Sequence, residues 1–226
     1  MKEKSIIFST PMVEAILNGK KTQTRRVVIP QPGKDDPNIR YCTLEGFQCA
    51  PPGEEIWADT DEGESVQLKP KYEKGDLLWV RETWTCKGTN DKDLRALISY
   101  ECGNWAWVQF NDPERYKKCI KKYQIKQPSI FLQREAARLF LEVKSVCVER
   151  LQDISPEDAV FEGAVKNPHY IRYGGEPCLV DHNRYREEYA ALWDSLNAKR
   201  GYSWESNPWV WVYEFMRLPK GGEYEG

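Results

Sequence analysis

The sequence predicts an α+β chain: a mixed β-barrel with a few helices packed on its outside and long inserted loops. Three observations predict it. Short extended runs outnumber helical ones. The order of elements is a strand, a helix, many strands, two helices and a last strand, which is not the regular alternation of a doubly wound sheet. Nine tryptophans and twelve tyrosines suit the side-chain layers of a β-rich core.

Each element has a local reason. "SIIFS", residues 5 to 9, reads as a first strand. "TPMVEAILNG" reads as a helix: Thr10 suits the cap, Pro11 the first turn and Gly19 the exit, with Met12, Val13, Ile16 and Leu17 on one face. "TRRVVIP" is extended and ends at Pro30. Residues 31–70 are rich in Pro, Gly, Asp and Glu and read as an insertion, with a short hairpin around Thr43 to Phe47. "KGDLLWVRETW" gives a turn at Gly75-Asp76 and a strand from Leu77 to Arg81. "LRALISYE" and "NWAWVQF" pair as a hairpin about Gly103-Asn104. "ARLFLEVKSVCVERL" is a long strand. "SPEDAVFEG" is a short helix capped by Ser155, with Asp158 completing a capping box. "YREEYAALWDSLN" is amphipathic, with Tyr185, Tyr189, Leu192, Trp193 and Leu196 on one face. "NPWVWVYEFMRL" closes the fold as a strand buried on both faces. The expected organisation is one domain over 1–219, with an insertion at about 31–70 and a flexible tail at 220–226.

Composition excludes some classes. Hydrophobic residues make up 40% and charged residues 30%, a mixture that buries a core and excludes wholesale disorder. With 33 basic and 35 acidic side chains the net charge is -2, so any basic surface has to be local. The most basic segment is "RYKKCIKKYQIKQP", with Arg115, Lys117, Lys118, Lys121, Lys122 and Lys126 interleaved with Tyr116 and Tyr123. It reads either as a solvated surface or as a phosphate contact with stacking rings. The seven cysteines form no Cys-x-x-Cys pair and have only His169 and His182 beside them, so reduced thiols are expected, with no metal and no cofactor. The first ten residues hold too short an apolar run for a signal peptide, and no run is long enough to span a membrane. A cytoplasmic protein without a membrane partner is the expectation.

The segment "LNGKKTQTRR" crowds four cations around two threonines after a helix exit. Its Gly19-x-Lys21-x-x-Thr24-x-Arg26 spacing resembles the signature of the ASCH family, in the PUA-like superfamily of small β-barrels. "KGDLLWVRE", the late "LEV" strand at Leu141 to Val143 and the closing aromatic strand are similar to the family's later elements. "VERLQDISPEDA" and "LWDSLNAKRGYSWESNPWVWVYEF" resemble the longer ASCH-containing proteins of phages and prophages. The resemblance implies a PUA-like barrel recognising RNA, nucleic acid or a modified nucleoside, with insertions at about 31–70 and 87–130 relative to a minimal domain of the family. Thr in place of Glu in the signature is similar to a branch of amidohydrolases that deacylate N4-acetylcytidine. For that branch it implies a catalytic set of Lys21, Thr24 and Glu142.

The chemistry is coherent with those residue types. A threonine hydroxyl needs a base within hydrogen-bond reach to act as a nucleophile. A lysine amine serves as that base when burial or cationic neighbours such as Lys20, Arg25 and Arg26 lower its pKa, whereas a nearby carboxylate raises it. Lys21 and Thr24 have opposite parity, so in a regular strand they face apart. A Lys21–Glu142 salt bridge is the structural alternative. The further binding candidates are Lys20, Arg25, Arg26 and Arg81 on phosphate, Glu82 as a second carboxylate, Trp84 as a stacking ring, and Lys117, Lys118, Lys121 and Lys122. Three functions stay open: a nucleic-acid or nucleoside binding module, an amidohydrolase, and a phage accessory protein that acts through a protein partner and the 31–70 insertion.

Overall fold

The computed structural model describes residues 2–33, 56–59, 65–165, 170–173, 176–179 and 182–219. The expected hairpin at Thr43 to Phe47 and the tail at 220–226 lie outside the described residues. The chain divides into two compact units. The first holds residues 1–19, 75–142 and 216–226, and the second residues 20–74 and 143–215.

In the first unit, β1 (Glu3–Ile7) runs parallel to β5 (Leu77–Arg81), with Glu3 opposite Leu77 and Ile7 opposite Arg81. Between them in sequence stands α1 (Thr10–Leu17), whose cap position is Ser9 rather than Thr10. Val13 and Ile16 are buried as their spacing predicts. Strand β5 is entered through Gly75, whose φ of 85° favours glycine. Beside it the buried Asp76 accepts from the Lys2 amide and pairs with Lys4 at 2.6 Å. The start of β9 (Phe140–Arg150) lies antiparallel to β5, with Leu78 opposite Leu141.

A second sheet in this unit is an antiparallel meander of β6 (Trp84–Asn90), β7 (Arg95–Tyr100) and β8 (Trp105–Gln109). The predicted Gly103-Asn104 turn joins the last two, both residues having positive φ. One face of the meander buries Trp84, Cys86, Ile98, Tyr100 and Val108 against Tyr116 and Cys119 of α2 (Pro113–Ile120). The basic segment therefore starts as a helix. Asp112 caps it by accepting from the Glu114 amide at 2.8 Å, Tyr116 and Cys119 face the core, and the lysines between and after them face outward.

In the second unit, β2 (Gln23–Val27) lies antiparallel to β12 (Trp209–Arg217), with Thr24 opposite Tyr213. Trp209, Val210, Trp211, Val212 and Tyr213 are all buried, as their unbroken apolar run predicts. Helix α3 (Pro156–Phe161) is capped by Ser155 Oγ, which accepts from the Asp158 amide at 3.0 Å. Helix α4 (His182–Asn197) puts Tyr185, Tyr189 and Trp193 into a core with Leu151, Ile154 and Val160. Its Leu196 is exposed, so the apolar stripe is narrower than expected. Two further hairpins pair β3 (Ile56–Asp59) with β4 (Ser65–Leu68) and β10 (Tyr170–Tyr173) with β11 (Glu176–Leu179).

The fold is mixed α+β, but the expected PUA-like β-barrel is corrected. The main sheet is open, in the order β1-β5-β9-β12-β2, with β1 and β2 as its two edges. Strands β6, β7 and β8 pair among themselves as a separate open sheet instead of supplying the strands that would close it. Closure of a barrel requires every strand to have two neighbours. Local strand signals carry no information on which strands meet. Among the described residues, no helix is long and apolar enough to cross a membrane.

Candidate functional site

The cationic segment ends in β2 and in a buried charge cluster of the second unit. Lys21, just before the strand, is 2% exposed. Its ammonium donates to Glu162, through both the carboxylate and the main-chain carbonyl, each at 2.7 Å. Glu162 follows α3 at its C-terminal end and also accepts from Arg25 at 3.3 Å. The Arg25 guanidinium reaches Glu149 at 2.7 Å and Asp158 at 3.1 Å as well. Gln23 joins Asp158 and Glu214 through its amide nitrogen, at 3.0 and 3.2 Å, and Ser145 donates to Glu214 at 2.6 Å. Gln23 and Arg25 thus share one face of β2, and strand alternation turns Thr24 to the other. Lys21 stands ahead of the assigned strand, so that alternation does not set its direction.

Burial governs the electrostatics. It lowers the Lys21 pKa below the ordinary lysine value; Glu162 works against this, while Arg26 and Arg25 add to it. Burial also opposes the charge on Arg25, but Glu162 and Glu149 outweigh it and hold the guanidinium firmly protonated. Burial raises the Glu149 carboxyl, with Arg25 pulling the other way. Two cations face three carboxylates here, so the cluster offers no free positive charge to an anionic ligand.

The expected carboxylate partner of Lys21 was Glu142. Glu142 lies opposite Leu77 in β9, and Glu162 is a carboxylate that meets the ammonium. Nothing in the sequence marked Glu162, which is 141 positions from Lys21. Lys20 is exposed, and Arg26 is half-buried opposite Trp211.

The other candidates come together in the first unit. A cavity of about 620 Å³ is lined by Arg81, Trp84, Lys118, Lys121 and Lys122, all named from sequence, and by Arg115. Trp79, Ile130, Phe131 and Arg134, which no motif in the sequence singles out, complete much of the wall. Among the described residues, no acidic side chain lines it. Arg115 is neutralised by Glu135 at 2.6 Å and Arg134 by Glu3. Lys118, Lys121 and Lys122 have no carboxylate partner among the described residues, and Lys122 lies over the Phe131 ring at 5.6 Å. Arg81 stacks on Trp79 at 4.6 Å and donates from Nη1 to the Ile130 carbonyl. The cavity is therefore built from the end of β5, the start of β6, the C-terminal turn of α2 and the segment after it.

Two candidates fall outside this cavity. Lys117 points away and pairs with Glu114 at 2.8 Å. Glu82 is buried and holds Arg138 in a two-point ion pair at 2.8 and 2.7 Å. It also accepts from the Cys102 thiol at 3.2 Å. Burial, with Glu82 adding to it, pushes that thiol up to about 11. This is the environment of an unreactive cysteine. Among the described residues, no group of His, Cys, Asp and Glu is arranged to hold a metal ion.

The fold and site define an α+β protein with open sheets, one buried charge cluster and one basic cavity. No family model matches the chain, and no curated protein matches it significantly. Among solved structures, an ASCH domain from Lactobacillus crispatus JV V101 is distantly similar. The likeness covers 96% of this chain and 79% of that one, at 9% identity and a TM-score of 0.38.

Proposed function

We propose that the protein binds nucleic acid through the basic cavity of its first unit. One observation carries the reading: among the described residues, three lysines without carboxylate partners and a stacked arginine share a cavity that has aromatic walls and no acidic lining. Cations of this kind take phosphates, and aromatic faces take bases regardless of sequence. The net charge of -2 does not oppose this, because the potential that matters is local.

Fluorescence polarisation with labelled single-stranded RNA, single-stranded DNA and duplex tests it at about 50 and about 200 mM salt. The expected result is binding that weakens steeply with salt and is lost in a Lys118→Ala/Lys121→Ala/Lys122→Ala variant. No binding to any probe at the lower salt, by a protein with a normal unfolding curve, would sink the proposal.

A second reading concerns Lys21. A buried lysine with a lowered pKa is a general base in waiting, and its carboxylate neighbour is Glu162. For hydrolysis of an N-acylated cytosine nucleoside the set is Lys21, Thr24 and Glu142, with Glu162 as a further carboxylate on the ammonium. The reading requires the Thr24 hydroxyl to meet the Lys21 amine. Incubation with N4-acetylcytidine, followed by absorbance, should give turnover that Lys21→Ala and Thr24→Ala abolish. Absence of turnover by the wild type at high enzyme concentration removes this reading and leaves the first untouched.

A further inference from the structure

We infer that the outer face of the β6–β8 sheet is a stacking surface for the bases of an unpaired nucleic-acid strand, with the Trp107 ring as its platform and Arg95 as the cation beside it. The surface is separate from the basic cavity. The inference rests on the proposed function for the class of ligand, and adds a second contact made chiefly to bases.

The two faces of this sheet are unlike. Ala106 and Val108 of β8 pack with the buried cluster that includes α2, and strand alternation turns Trp105 and Trp107 the other way. The solvated face of an antiparallel sheet is ordinarily polar, yet Trp105 is 68% exposed and Trp107 43%. Trp107 stands opposite Leu97 of β7, and Leu97 opposite Gly88 of β6. The far ring carbon of Trp107, Cη2, lies 3.4 Å from where a Cβ on Gly88 would stand, and the Leu97 Cβ lies 3.2 Å from that point. An indole on β8 reaches β6, two strand spacings of about 4.8 Å away, only by lying flat across β7. One ring face is then against the sheet and the other is turned outward. Gly88 is the seat, because its missing side chain leaves room for the ring edge.

Charge selects the occupant. Strands β6, β7 and β8 contain no Asp or Glu, and their only charged residues are Lys87 and Arg95. The Arg95 guanidinium lies 5.6 Å from the centre of the Trp107 ring. Lys87 is exposed at the bulge between Cys86 and Gly88. In the turn between β6 and β7 both carboxylates are engaged, Asp91 by the Tyr116 hydroxyl and Asp93 by the Asn90 amide. A flat, outward indole with a guanidinium at its side fits a planar ring that carries an anionic group nearby, which is a base with its phosphate. Trp105, two residues along the same face, offers a second ring to a neighbouring base. Bases in a duplex are stacked on one another and have no free ring face, so the strand has to be unpaired.

The test uses the full chain and a long single-stranded oligonucleotide that carries 5-bromouracil. Irradiation is expected to cross-link it to the peptide that holds Trp105 and Trp107. In polarisation titrations Trp107→Ala should weaken single-strand binding about tenfold and leave the salt slope unchanged, because the indole carries no charge. Gly88→Val removes no binding group but crowds the ring out of its seat, and should weaken binding in the same direction. Trp105→Ala alters an exposed position, should also weaken binding, and covers the case in which the other two variants fail to fold. Duplex binding should be unchanged in all three. Cross-links confined to cavity residues, or single-strand affinity that both tryptophan variants leave unchanged, overturn this inference while the proposed function stands. A wild type that sediments as a dimer, and becomes a monomer in Trp105→Ala/Trp107→Ala, also overturns it, because a second copy then covers the face. Failure of the wild type to bind any oligonucleotide overturns both.

Discussion

Lys21 donates twice to Glu162, once to its carboxylate and once to its own main-chain carbonyl, and both side chains are buried. The same carboxylate accepts from Arg25. Glu162 is therefore the joint between the segment before β2 and the end of α3. Both cations would be left short of a partner without it.

Removal of Glu162 is expected to cost more than removal of Lys21. Glu162→Ala leaves Lys21 and Arg25 buried with less compensation, a loss on the order of 3–5 kcal/mol. Lys21→Met removes the ammonium, keeps an apolar stem and leaves Glu162 paired with Arg25, so its cost is smaller. Urea unfolding of the two variants, at an unchanged m-value, checks the order. Equal losses would mean that the Arg25 contact is negligible.

The lowered pKa of Lys21 has a definite sign in stability. Between its folded value and the ordinary 10.5, the unfolded chain binds more protons than the native one. Stability from this group therefore rises with pH across that window and is lost as pH falls through the folded pKa. Glu149 acts oppositely: its raised pKa contributes stability below the ordinary 4.5 that is lost as pH rises through the folded value. The wild-type unfolding free energy minus that of Lys21→Met should increase as pH rises towards the ordinary 10.5. A flat difference would show that Lys21 stays protonated throughout.

Ser155 is the most directly readable stabilising residue. Its hydroxyl accepts from the Asp158 amide, so Ser155→Ala should destabilise by about 1 kcal/mol, and Ser155→Asp by much less. Thermal melts of both variants decide it.

That cap illustrates what the sequence discloses. Contacts a few residues apart leave local marks: the Ser155 cap, the Gly75-Asp76 turn, strand Leu77–Arg81 and the Gly103-Asn104 hairpin turn all stand where their patterns put them. Pairing across long separations leaves none. The parallel partner of β1 is β5, more than sixty residues later, and no local signal said that β6 to β8 would form their own sheet. The candidate sites divide in the same way. The charge of the 115–126 segment was visible as a run of lysines, because charge is a property of single residues. Its aromatic wall and the Glu162 partner of Lys21 were not, because they come from elements brought together only by folding.

Cys102 offers a chemical test of the Glu82 pocket. Its thiol is raised to about 11 by burial and by Glu82, so alkylation near neutral pH should be slow. Glu82→Gln removes the negative charge, leaves Arg138 beside the sulfur at 2.8 Å, and should lower the thiol pKa and speed the reaction. The rate at Cys102, followed by peptide mass spectrometry against pH, gives the answer. A slower reaction in the variant would contradict this account of the pocket.

Lys117 and Lys118 are neighbours on α2 with the same charge and opposite roles. Lys118 lines the cavity, whereas Lys117 lies outside it and is paired with Glu114. Each lysine that contacts phosphate directly contributes about one unit to the slope of log affinity against log salt. Lys118→Ala should therefore weaken oligonucleotide binding and reduce that slope by about 1. Lys117→Ala should leave the slope unchanged, because an exposed ion pair adds little to stability and Lys117 does not reach the ligand. Polarisation titrations at several salt concentrations compare the two variants under identical conditions. Equal effects would mean that the helix acts through its total charge. A difference confined to Lys118 would mean that the cavity, and not the basic face of α2 as a whole, receives the phosphate.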